Sequence, residues 1–103
     1  MYYVYMMRCS DNSLYTGITT DLERRFAEHT KKAGTGAKYT RAKEVIGIAC
    51  AWVTDEGRSE ASKLEARLKK LSKEKKEILC GSPERLYEFC KCENVFISVN
   101  ISN

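Results

Sequence analysis

Arg25 and His29 stand four residues apart, so a helix running through them presents both side chains on one face. The guanidinium offers planar donors that match a phosphate, and it keeps its charge at any physiological pH. The only histidine in the sequence, one turn away, can hold or move a proton near neutrality. An exposed Arg24–Arg25 pair and a histidine suited to a helix end would give the same spacing, and on spacing alone that plainer explanation is the stronger. Tyr3 and Tyr5 lie two apart and share one face of an extended segment. Tyr15 is followed by Thr16 and Gly17, and a glycine there lets a ligand or another backbone approach closely. Tyrosines also favour strands for packing reasons alone, with their hydroxyls at the rim.

Glu65 lies beside a helical stripe of Ala61, Leu64, Leu68 and Leu71, at the edge of a core. A carboxylate in that place needs a partner, because burying it without one is costly. Lys69, four residues on, supplies an ordinary surface ion pair. A divalent metal is the alternative, since magnesium binds through one carboxylate, waters and a substrate phosphate. Lys38, Tyr39 and Arg41 sit in a glycine-containing basic connector and have what is needed to grip phosphates and stack a base.

These residues need elements to hold them. Residues 2–8 alternate aromatic and aliphatic side chains as a strand does, and Cys9 to Ser13 supply turn chemistry. Leu14 to Thr19 then resume an extended pattern, giving a β-hairpin. Thr20-Asp21-Leu22-Glu23 reads as a capping box with Thr20 as the cap, opening a helix to about Lys32 along Leu22, Phe26 and His29. Val45 to Thr54 is apolar enough for a central strand. Ser59 is expected to cap the next helix, Ser72 a short one to about Leu79, and Ser82-Pro83-Glu84 a third. From Asn94 to Ile101, Val95, Ile97 and Val99 alternate, as in a terminal strand or an ordered tail. The order describes a small α+β domain with mainly antiparallel pairing over residues 1–82, and a C-terminal extension over 83–103 packed on it.

With 103 residues, 43% of them hydrophobic and 31% charged, the chain has room for one folded domain and one core. Its longest apolar stretch, Val45–Val53, is too short to cross a bilayer, and no basic segment precedes an apolar one at the N-terminus. The expectation is a cytoplasmic protein with no membrane partner. Cys9, Cys50, Cys80, Cys90 and Cys92 are an odd set with uneven spacing, as expected of reduced thiols. A zinc site from Cys80, Cys90 and Cys92 would lack a fourth ligand, and inert thiols are the better reading. The net charge of +4, with Lys and Arg gathered at 31–43 and 58–76, is compatible with a polyanionic partner. Many basic helices are merely solvated faces, and no feature sets an oligomeric state.

Taken in order, the motifs carry more. Tyr3-Val4-Tyr5 and then Tyr15-Thr16-Gly17 resemble the paired tripeptides of the GIY-YIG nucleases. Arg25 ten residues after Tyr15, His29 one turn later and Glu65 on a downstream helix fit the same pattern. Gly36 to Arg41 and Glu65-x-x-x-Lys69-x-Leu71 look more particularly like the small stand-alone bacterial branch, the YhbQ/YazA-like (UPF0213) proteins. The resemblance covers roughly residues 2–79. It implies a three-stranded antiparallel sheet flanked by helices, and one divalent ion, Mg2+ or Mn2+, bound by Glu65. It also implies hydrolysis of phosphodiester bonds in nucleic acid, DNA rather than RNA, with structured, nicked or single-stranded forms as substrates and a place in DNA repair or processing. Arg25 would hold a non-bridging oxygen, and Tyr15 would orient or deprotonate the attacking water, with Tyr5 bonded nearby and His29 assisting. Tyr3 and Gly17 would be structural neighbours of the site, and Lys38, Tyr39, Arg41 and Lys69 would contact nucleic acid.

The chain also departs from the pattern. Tyr3, Val4 and Thr16 replace a glycine and two isoleucines at packing positions, which is mild. An asparagine that some family nucleases carry past the glutamate-bearing helix has no counterpart in Lys73–Leu79. A nucleic-acid-binding module that cleaves little, and a protein-interaction domain using residues 83–103, are therefore the alternatives.

Overall fold

The computed structural model describes residues 1–34, 44–92 and 95–97. Four antiparallel strands, β1 (Tyr2–Cys9), β2 (Leu14–Thr19), β3 (Val45–Thr54) and β4 (Val95–Ile97), form one sheet in the order β2-β1-β3-β4. The antiparallel sheet flanked by helices agrees with the expected fold class. The strand count differs by one, because Val95–Ile97 pairs with Trp52–Thr54 along the open edge of β3. Val99 and Ile101, read with that segment, lie outside the described residues.

Strand alternation divides the interior in two. Tyr5, Met7 and Cys9 of β1 point to one face and pack with Val45 and Ala51 of β3 and with Leu22 and Phe26 of α1 (Leu22–Gly34). Val4 and Met6 point to the other. They meet Cys50 and Trp52, Ala61, Leu64 and Leu68 of α2 (Arg58–Lys69), and Leu79 of α3 (Lys73–Gly81). Leu86 of α4 (Leu86–Phe89), Cys90 and Val95 join this second cluster, and the Trp52 indole donates to the Pro83 carbonyl at 3.1 Å.

Two expected helix starts move. In α1 the cap is Asp21, not Thr20: the Asp21 carbonyl accepts the first helical bond, from the Arg25 amide, and its carboxylate accepts from the Arg24 amide at 3.0 Å. Thr19, one residue earlier still, accepts from the Asp21 amide at 3.1 Å and fixes the approach. In α2 the cap is Gly57 rather than Ser59. Its φ of 92° turns the chain in a region that disfavours side chains, and its carbonyl accepts from the Ala61 amide. Ser72 caps α3 as expected, accepting from the Lys75 amide. Ser82 and Pro83 open a three-residue 3-10 turn, Pro83–Arg85, that leads into α4.

The hairpin that carries Tyr15 is held to α3 by charge. Arg8 donates to both carboxylate oxygens of Glu77, at 2.5 and 2.7 Å, and Lys73 pairs with Glu77 at 3.3 Å while donating to the Asn12 carbonyl in the turn. Asn12 takes a left-handed φ of 70°, which asparagine tolerates. The Arg8 guanidinium holds the Glu77 carboxyl down at about 2, from an ordinary 4.5. A depressed carboxyl adds stability above its unfolded value and loses it as pH falls through its folded one. Stability should therefore fall between about pH 4.5 and 2 by about 1–2 kcal/mol from this group, discounted because Glu77 is one-third exposed. Glu77→Gln, followed by denaturant unfolding across that range, should flatten this step; an unchanged step would assign it to other carboxylates.

Candidate active site

Along the β2 edge of the sheet, four of the singled-out side chains meet on the face covered by α1. Cross-strand pairing sets Tyr5 opposite Gly17 and Met7 opposite Tyr15, so Tyr5 and Tyr15 share that face. Their ring centroids are 6.3 Å apart, and His29 packs its edge on Tyr15 at 5.0 Å. One helical turn delivers Arg25 to Tyr5 and His29 to Tyr15, so the two share a face with the tyrosine pair.

Arg25 is the hub. Its Nε donates to the Tyr5 hydroxyl at 3.4 Å and its Nη1 to Glu28 at 3.2 Å. These bonds raise the Arg25 pKa, and Tyr15 is close enough to add to the same rise, so the charge is permanent. Tyr5 is fully buried, and burial pushes its pKa up, so it remains a neutral hydroxyl. Tyr15, by contrast, is 41% exposed and is the phenol that a substrate can reach.

Gly17 makes the cluster possible. A Cβ there would stand 2.5 Å from the Tyr5 hydroxyl oxygen and 2.8 Å from Cζ, so the Tyr5 ring lies across the glycine. The close approach read from the sequence is thus that of a buried side chain. Tyr3, half-buried, packs against the same cluster two residues along β1.

Glu65 arrives from α2, which packs on β1 and β2 from the opposite face. Its side chain is 21% exposed and pairs with Lys69, itself 57% exposed, at 3.2 Å. It is near enough that its charge adds to the rise at Tyr5. A partly sheltered carboxylate whose described ion pair is one solvated lysine fits a hard divalent cation that keeps most of its waters. Among the described residues, no group of three or more His, Cys, Asp or Glu side chains is placed to hold a metal ion. Lys38, Tyr39 and Arg41 lie outside the described residues.

Glu28 escaped the sequence reading. It pairs with Arg25 and, at 3.9 Å, with Arg24, and its i+3 and i+4 spacing was the available signal.

Residues 1–77 match the GIY-YIG catalytic domain, and the chain belongs to that nuclease-type family. Within it, the relatives are UPF0213 proteins, as the residues themselves suggested. One from Vibrio cholerae is 46% identical over 85 residues, 82% of each chain. One from Halobacterium salinarum is 47% identical over 79 residues, covering 77% of this chain and 99% of its own. The solution NMR structure of a UPF0213 protein from Bacillus halodurans is 40% identical and covers 84% of this chain and 94% of that one, with a TM-score of 0.48. That name assigns no substrate. No helix among the described residues is long and apolar enough to cross a membrane.

Proposed function

We propose that the protein is a metal-dependent nuclease that hydrolyses phosphodiester bonds, in DNA rather than RNA, at the Tyr5–Tyr15–Arg25–Glu65 site. The observation that carries this reading is the convergence of Tyr5 and Tyr15 on one permanently charged guanidinium at an open sheet edge. A non-bridging phosphate oxygen takes the place of Glu28 at Arg25, which neutralises the charge that grows there. Tyr5, neutral and fixed, holds Arg25 in register. Tyr15 is exposed and orients the attacking water, with His29 against its ring to limit its motion. Glu65 is the metal ligand; the ion, magnesium or manganese, supplies Lewis-acid polarisation of the phosphate when bound.

The test is cleavage of labelled single-stranded, nicked, branched and duplex DNA, and of RNA, with Mg2+ or Mn2+. The wild type should cut at least one DNA form and stop in EDTA. Tyr15→Phe should slow cutting about 100-fold, and Glu65→Ala should remove the response to metal, both with binding retained. A wild type that binds with a steep salt dependence and cuts nothing is a binding module instead. One that does neither moves the interaction reading ahead.

A further inference from the structure

Beside the Tyr15–His29 pair the surface opens into a cavity of about 250 Å³, lined by Cys9, Ser13, Leu14, Tyr15, His29 and Val45. Its construction follows from register. Cys9 pairs with Val45 across β1 and β3, and both belong to the cluster under α1, so they form an apolar floor. Tyr15 and His29 stand as aromatic walls, and Ser13 and Leu14 bring the end of the hairpin turn to the rim. The catalytic assignment uses the Tyr15 hydroxyl and leaves this hollow unexplained.

We infer that the cavity is a subsite for one nucleobase, that of the nucleotide next to the phosphate held by Arg25. This rests on the nucleic-acid reading of the site. The volume lies below the roughly 300–1,000 Å³ usual for whole cofactors and drug-sized ligands, so it suits a single planar ring system. Apolar floor and aromatic walls are what a base needs when it leaves its stack. Tyr15 belongs to both sites, because its ring stands 6.3 Å from that of Tyr5, which Arg25 bonds, and also lines the cavity. An occupant is thereby tied to a phosphate at Arg25, which a nucleotide satisfies and a detached apolar ligand does not. The turn at the rim is anchored through Asn12 to Arg8 and Lys73, so the wall is preformed.

The experiment needs no cleavage. Titration of the isotope-labelled protein with adenosine 5′-monophosphate and with ribose 5-phosphate, followed by amide shifts, separates base from phosphate. The nucleotide should bind about 5- to 100-fold more tightly, the range expected for stacking one base, and should move the amides of Cys9, Ser13, Leu14 and Val45. Cys9→Leu, or Val45→Met should the first misfold, should erase that advantage and leave ribose 5-phosphate binding unchanged. Equal affinities, shifts confined to the Arg25 side, or no binding of either compound at millimolar concentration would each overturn the subsite. A protein that shows the base advantage and cuts no nucleic acid keeps the subsite and loses the nuclease reading.

Discussion

Arg25→Ala should lower cleavage turnover by about 10²–10³-fold while weakening nucleic-acid binding much less. In the free protein the guanidinium is already engaged, by Glu28 at 3.2 Å and by the Tyr5 phenol at 3.4 Å. A ground-state phosphate therefore exchanges one anionic partner for another, and the gain in binding is small. The transition state places more negative charge on the same oxygen, and there a fixed cation counts for most. Removing Arg25 also releases Tyr5, the ring beside which Tyr15 stands, from its bond, which adds a loss of orientation to the loss of charge. Single-turnover cleavage and equilibrium binding on one oligonucleotide separate the two effects. Arg25→Lys sharpens the comparison, since it keeps the charge but cannot bond Tyr5 and phosphate together; it should restore binding more than rate. Equal losses in rate and affinity would reduce Arg25 to a phosphate clamp.

Much of this site was readable because its logic is local. Tyr5, Arg25 and His29 each need only a strand or helix period to choose a face, and those periods are written in consecutive residues. Ser72 was readable as a cap for the same reason. The α1 start slipped by one residue because Thr19, Thr20 and Asp21 all carry capping oxygens, and the choice falls to the one whose carbonyl begins the ladder. Gly57 was missed because its contribution is a backbone angle, with no side chain to signal it. The alternation at Val95 and Ile97 leaves a terminal strand or an ordered tail open, and the strand wins because Trp52–Thr54 offers a free edge. The cavity floor was hidden for a related reason. Cys9 meets Val45 only after register shifts between Met6 and Met7 and between Arg8 and Cys9, so the pairing depends on irregularities that the sequence does not announce. Glu28 is different: its i+3 spacing from Arg25 is itself a local signal of a counter-ion.

Gly17→Ala should cost about 1–3 kcal/mol of stability and about 100-fold in turnover, from the addition of one methyl group. The new Cβ would sit 2.5 Å from the Tyr5 oxygen, 2.8 Å from Cζ and 3.3 Å from Cε1, so one side must move. A surface tyrosine would swing away at little cost. Tyr5 has no exposed surface and is packed with Leu22, Ala51 and Phe26, so its ring has no vacant place to enter. Either the phenol leaves the Arg25 guanidinium, or β2 separates from β1 and carries Tyr15 with it. Both routes disturb the same three side chains, and for that reason rate should suffer more than the stability loss alone would suggest. The double variant Tyr5→Phe/Gly17→Ala removes the nearest atom of the clash but leaves Cζ close, so it should regain part of the stability. It should not regain the rate, because the hydroxyl that steadies Arg25 is then missing. Thermal unfolding and single-turnover cleavage of the two single variants and the double complete the cycle. A Gly17→Ala protein that unfolds and cuts like the wild type would mean that the Tyr5 ring does not rest on the glycine, and that the tyrosine–arginine contact is not what aligns the site.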